Sequence, residues 1–551
     1  MSNLLEKASI ITTPTAYSDG FLHSVKPEQT LGSELLTNGD FATDSDWTLN
    51  TGWSISDGKL RASNVANENA VQNQVFIQGV TYKITYTISD YVKGEVRARL
   101  VGGGGGGNLT LNSSNGTFTE YVVSNENHTS FRIRGENTDG GFTGSIDNVS
   151  VKEVTNADFT FTRNNIGTRV NASGNIESIA GDLPRIDYLG GSGSWLLEPE
   201  ATNTATDSND FTTGQIFEGS SDPTIASAIL TSAQATSPDG TNNAWKLVDN
   251  NDGNFGATYI SYFTTDVIAN NYNTVSLFAK KQGNNDWLSV SAGGFDSSAV
   301  GNNWFDIANG TLGNVSSNHT VSIDDYGNGW YRCSITFQAT TDTRGSVQIK
   351  LATNNGQGSI TRDGTNGVYM YGIQAESHAT RQYATSYIPT SGGTVTRGAD
   401  LAIDAGSSDL INSTEGVFYA ELKNIAEYID VQSSISINDS SINNRLMIYK
   451  AASSNKLRFQ IRKPSGNINF NSATTNVDFD KVAIKWKSGD NAVWVNGVEV
   501  FTDTSSGTTI GLNNIDFSAD DISNPFQGNV KCVAVFKEAL TDAELTCLTT
   551  I

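Results

Sequence analysis

The chain has 551 residues, too many for a single core and enough for about three or four domains. Only 17% of its residues are charged, and glycine (54 residues), serine, threonine and asparagine are abundant, which fits extended β-structure with many turns rather than helices. Acidic residues outnumber basic ones 58 to 35, a net charge of −23, so the surface repels phosphate backbones and direct nucleic-acid binding is excluded as a main role.

Residues 1–33 form a short leader in which Ser9-Ile-Ile-Thr-Thr-Pro-Thr-Ala-Tyr17 is a strand candidate ended by turn residues. It can serve as an arm that docks to another protein, or as an extra edge strand. Its first residues lack a charged stretch followed by a long apolar run, so no signal peptide is expected, and no run is long enough to span a bilayer.

The first block, 34–154, opens Glu34-Leu-Leu-Thr-Asn-Gly-Asp-Phe41 and closes Gly144-Ser-Ile-Asp-Asn-Val-Ser-Val151. Between them Val80–Ile88, Val96–Leu100 and Thr129–Arg134 alternate apolar and polar residues with period two, the mark of strands with one buried face. Six consecutive glycines, Gly102–Gly107, lack a following Lys-Ser/Thr and a helix, so they read as a flexible loop and not a phosphate cradle. The two ends of the block resemble jelly-roll carbohydrate-binding modules. That resemblance implies adjacent first and last strands and a structural calcium, with Glu34, Asn38 and Asp147 as its oxygen donors.

A connector follows over 155–200. Thr168-Arg-Val-Asn and Asn175-Ile-Glu-Ser-Ile are two short strands around a turn at Asn171–Gly174; Pro184 interrupts pairing, and Trp195-Leu-Leu is an apolar plug before Glu198-Pro-Glu200. The second block, 201–400, repeats the opening signal as Ser208-Asn-Asp-Phe211. It carries strands at Thr274–Lys280, Trp287–Ala292, Gly329–Phe337, Ser346–Leu351 and Gly367–Glu376, and reads as a second jelly roll with a C-terminal linker.

The third block, 401–551, contains alternating strands at Val417–Leu422, Arg445–Tyr449, Lys456–Ile461 and Lys481–Trp486. Asn496-Gly497 marks a tight hairpin, and Thr541 with Glu544 forms a capping box at the start of a terminal helix. This order resembles the concanavalin-like, laminin-G-like lectin sandwich. The fold class expected is therefore all-β: tandem antiparallel β-sandwich (jelly-roll) domains joined by a hairpin-containing connector.

Catalytic constellations are missing. His23, His128, His319 and His378 stand far apart, and no G-x-S-x-G, H-E-x-x-H or E-x-D-x-x-E pattern occurs, so an enzyme is not expected. Cys333, Cys532 and Cys547 are odd in number and unpaired in spacing, which makes neither a disulfide framework nor a zinc site. Sugar binding would use aromatic faces, and the candidates are Trp47, Trp53, Trp245, Tyr259, Trp287 and Trp304, with Trp53 read as exposed among turn residues. Trp195, Trp486 and Trp494 are assigned to cores.

The connector run, from Arg163 through Thr168-Arg-Val-Asn171, Gly174, Ile176-Glu177, Pro184-Arg185, Asp187-Tyr188 and Glu198-Pro199 to Asn203, resembles one found in tailed-bacteriophage fibre and appendage proteins. Arg381-Gln-Tyr-Ala-Thr-Ser-Tyr-Ile-Pro-Thr390 and Val395-Thr-Arg-Gly-Ala-Asp400 resemble their downstream segment. The resemblance implies a virion surface protein, assembled in the host cytoplasm, docked to other virion proteins through its leader and adhering to host or environmental polysaccharide. A homotrimer is the expected assembly, with no nucleic-acid partner and no membrane insertion. The alternatives are a non-binding spacer or decoration of the virion and a bacterial polysaccharide-binding adhesin.

Overall fold

The computed structural model describes the chain apart from residues 1, 28–29, 79, 103–104, 125, 156, 219–229, 265–266, 297–298, 342–344, 425–431, 451–455, 475–478 and 520–522. Strand makes up 54% and helix 3%, which settles the class as antiparallel all-β. The chain divides into two compact units, Lys26–Asn156 on one side and Met1–Val25 with Ala157–Ile551 on the other.

Lys26–Asn156 is a sandwich of a five-stranded and a six-stranded sheet. Its opening strand Thr30–Glu34 pairs antiparallel with its closing strand Phe142–Thr155, Glu34 facing Lys152, as the ends of a jelly roll should. The alternating residues of Thr81–Lys93 put Tyr82, Ile84, Tyr86 and Ile88 into the core between the sheets. The glycine run is not simply a loop. Gly103 and Gly104 lie outside the described residues, but Gly105–Asn108 pairs with Val96–Gly102 as a strand, which glycine allows once a neighbour supplies the ladder.

The larger unit holds two further sandwiches. In the middle one, a sheet of Gln215–Glu218, Thr258–Thr264, Gly345–Ala352, Trp287–Gly293, Gly301–Asp306 and Thr311–Leu312 faces a second six-stranded sheet centred on Tyr272–Gly283. In the last one, Glu415–Asn424, Asp480–Lys487, Asn491–Val495, Val498–Asp503 and Gly528–Phe536 lie in one sheet, opposed by a five-stranded sheet from Ser433–Asn438 to Gly466–Thr474 with Asn514–Asp516. Asn496 and Gly497 take φ of 50° and 83°, the left-handed pair a two-residue hairpin requires. The Asp542–Thr549 helix starts on the expected capping box.

The leader expected over 1–33 is, through Val25, part of this unit. Ile10–Thr12 pairs with Val533–Val535, and the connector strand Ser194–Leu197 pairs with Gly528–Val530, so two distant segments share the outer edge of Gly528–Phe536. Ile10 is fully buried and belongs to the terminal core. Burial of that apolar strand and its ladder bonds is what draws the segment onto the sheet.

The connector and the downstream motif fold together. Ala201–Asn203 pairs with Val395–Arg397, and Phe159–Thr162 pairs with Leu401–Ile403. Arg163, Arg185 and Arg397 converge on Glu198 and Asp400: Arg163 Nη1 is 3.0 Å and Arg397 Nη1 3.6 Å from Asp400, Arg185 Nη1 and Arg397 Nη1 are 2.8 and 2.9 Å from Glu198, and Arg185 Nη2 also pairs with Asp400. Asp400 and the three arginine side chains are 0% exposed. Burial on its own would raise the Glu198 carboxyl, but Arg397, Arg185 and hydrogen bonds from Ser386 hold it down at about 2.

Candidate functional site

The first sheet of the middle sandwich separates its residues by period. Leu288, Val290, Phe305, Ile260, Ile349 and Leu351 point into the core. Their alternates face away from it, and the strand register sets those alternates in rows. Tyr259 is opposite Lys350, Lys350 opposite Ser289, and Ser289 opposite Trp304. The next row is Ser261, Gln348, Ser291 and Asn302; on the other side Trp287 lies opposite Ala352 and Asp306.

This face has half-buried aromatics at both ends and a polar floor between them. Tyr259, Trp287, Trp304 and Lys350 are half-buried, while Ser289 and Ser291 are 1% and 2% exposed, with their hydroxyls 3.3 Å apart. Three strand spacings separate Tyr259 from Trp304, about 14 Å, the reach of a short oligosaccharide rather than of one sugar. The Lys350 ammonium sits 5.7 Å from the Tyr259 ring centroid. Burial lowers the Lys350 pKa and raises that of Tyr259. The indole N–H of Trp304 is buried without a hydrogen-bond partner among the described residues. Trp287 is walled at one end by Gly313, where an added Cβ would come within 2.5 Å of its Cζ3.

Of the six aromatics singled out from sequence, the fold thus gathers Tyr259, Trp287 and Trp304. Trp245 is on the opposite sheet, half-buried, with its indole donating to Asn209 O at 2.8 Å beside Phe211. Trp47 and Trp53 are core residues of Lys26–Asn156, 9% and 7% exposed. The exposed reading of Trp53 is corrected. Its ring packs on Phe142, and its N–H reaches Glu68 O at 3.3 Å, so the flanking turn residues fold the indole inward instead of presenting it.

Glu34, Asn38 and Asp147 are engaged in hydrogen bonds. Glu34 accepts from Val151 N at 2.7 Å and Ser150 Oγ at 2.6 Å; the Asn38 side chain closes its own turn to Thr43 and Ser45; Asp147 accepts from Asn148 N at 2.7 Å. Such a set closes strand ends and turns. Among the described residues no group of three or more His, Cys, Asp or Glu converges.

Sequence reading missed Lys350, Ser289, Ser291 and Gln348. Their signal was present in the alternation of Trp287-Leu-Ser-Val-Ser and Ser346-Val-Gln-Ile-Lys, whose polar members had to share one face. A separate cavity of about 580 Å3 lies among the connector (Arg169, Asp187, Glu198), the edge strand Thr320–Asp325 and Lys423 with Asn529. Desolvation raises the Asp324 carboxyl there, against the pull of Arg332. Both signs of charge line it, without the ordered row of the sheet face.

Residues 426–546 match the family model described as the concanavalin A-like lectin/glucanases superfamily, of the laminin-G type, so the terminal sandwich is of the concanavalin-like, laminin-G-like class. Solved structures that resemble parts of the chain include the CBM40 domain of the Ruminococcus gnavus IT-sialidase bound to α2,3 sialyllactose (17% identity, 25% of this chain and 84% of that one, TM-score 0.23). Domain 4 of AbnA, a GH43 extracellular arabinanase from Geobacillus stearothermophilus, in complex with arabinotriose, is another (15%, 31% and 84%, TM-score 0.24), and mouse laminin α1 domains LG4-5 a third (12%, 54% and 92%, TM-score 0.18). No curated protein matches the chain.

Proposed function

We propose that this protein is a glycan-binding adhesion protein, and that the outward face bearing Tyr259, Lys350, Ser289 and Trp304 is its binding surface. The row itself carries the reading: aromatic faces suited to stacking on pyranose rings flank hydroxyl, amide and ammonium donors suited to sugar hydroxyls. The neighbours crystallised with sialyllactose and arabinotriose are named for the same kind of ligand, and they add nothing about this chain's residues. A glycan array on the purified chain tests the proposal. Binding that competes with free sugar and falls at least tenfold in Trp304→Ala and Tyr259→Ala supports it; silence on every glycan removes it.

The finer reading places the protein on the surface of a tailed-bacteriophage virion, in a fibre or appendage. It rests on the connector residues Arg163–Asn203 and Arg381–Asp400 that resemble such proteins. Mass spectrometry and antibody labelling of purified particles test it, and a chain absent from particles ends it. A homotrimer belongs to the same reading, because clustered copies multiply weak glycan contacts; sedimentation of the full chain as a monomer would remove that part. One observation favours a spacer role for Lys26–Asn156 in particular: its two tryptophans are both in the core.

A further inference from the structure

Among the described residues, the row of the middle sandwich holds a cation with no counter-ion. Lys350 is half-buried, and no carboxylate among the described residues pairs with it. This holds although acids outnumber bases 58 to 35 in the chain. Lys485, also buried on a sheet, is flanked by Asp490 at 2.8 Å and Asp542 at 3.1 Å. Cross-strand neighbours of Lys350 are Tyr259 and Ser289, and Gln348 and Ala352 stand beside it on its own strand; none is acidic. Asp306, opposite Trp287 in the adjoining row, has its oxygens taken by Ala308 N, Asn309 N and Asn309 Nδ2.

An ammonium partly removed from water and left unpaired is unfavourable, and burial accordingly lowers its pKa. A neutral sugar hydroxyl can accept a hydrogen bond from it but leaves its charge unbalanced. A carboxylate would pair with it.

We infer that Lys350 receives the carboxylate of an acidic sugar, so that the face selects carboxylated oligosaccharides over their neutral counterparts. This rests on the glycan-binding reading above. The carboxylate can come from a uronic acid or from a sialic-type acid, two sources of the same chemistry.

The test uses the full chain on an array that places sialylated and uronic-acid-containing oligosaccharides beside the same backbones as neutral or methyl-esterified forms, followed by titration of the best pair. Carboxylated glycans are expected to bind about tenfold or more tighter than their neutral forms, the scale of one charge-assisted hydrogen bond. Lys350→Gln, which keeps a donor and removes the charge, should abolish that preference, so that acid and ester bind alike, and leave thermal stability unchanged; added salt should weaken the carboxylated ligands more than the neutral ones. The two arms of the array tell which acid is recognised. Equal binding of acid and ester, or a preference that survives Lys350→Gln, overturns the inference while leaving a glycan-binding face intact. No binding to any glycan overturns both.

Discussion

Asp400→Asn probes the joint that ties the connector to the two sandwiches of the larger unit. Asp400 Oδ1 accepts from Arg163 at 3.0 Å; Oδ2 accepts from Arg185 and from the Glu198 backbone N–H at 2.9 Å; Arg397 Nη1 stands 3.6 Å away. Three guanidinium charges face two carboxylates, and none of the three Asp400 pairs exposes a side chain. Asparagine keeps the volume but leaves three buried cations against Glu198 alone and turns an NH2 toward donors. Breaking a buried pair in this way costs about 3–5 kcal/mol. Glu177→Gln is the control: its pair with Arg169 is partly exposed, with Glu177 36% open, and its loss should change stability by no more than about 1 kcal/mol. Urea unfolding of both variants gives the magnitude, and hydrogen exchange at the Glu198 amide reports the joint directly. An Asp400→Asn protein within about 1 kcal/mol of wild type, with Glu198 amide protection unchanged, would refute the reasoning.

Three further outcomes are expected. Lowering pH should weaken the larger unit: the Glu198 carboxyl is held at about 2 against an ordinary 4.5, so its contribution is complete above about pH 4.5 and is lost as pH falls toward 2, at most about 3 kcal/mol by linkage, read from urea midpoints across that range. Ile10→Ala, at a fully buried site paired with Val535, should cost about 2–5 kcal/mol in the same assay; a cost near zero would mean that the leader strand is dispensable. Thr541→Ala removes the cap that accepts from Glu544 N and should cost about 1 kcal/mol, visible as a small fall in melting temperature.

What could be read from residues alone was local. Period-two alternation located Thr81–Lys93 because one buried face writes itself into consecutive residues. Asn496-Gly497 and Thr541–Glu544 were legible because turn and cap chemistry lie within four residues. Pairing between distant segments was not. The connector residues stood out as a pattern, but nothing in their order says that Arg185 meets Asp400, more than two hundred positions on. The partner of Ile10–Thr12 was invisible for the same reason. The sheet face was half legible: Tyr259, Trp287 and Trp304 were marked by type, but their alignment with Lys350 depends on register across four strands. Trp53 misled because a flanking turn suggests exposure, while its N–H found a main-chain acceptor inside.

The shared outer edge of Gly528–Phe536 has a consequence for biosynthesis. Ser9 bonds to Val535 across 526 positions, so at ribosomal rates the opening strand waits on the order of half a minute to two minutes before its partner leaves the exit tunnel. In that interval Lys26–Asn156 can fold alone, whereas the exposed apolar strand preceding it is a target for chaperones and for mispairing with neighbouring nascent chains.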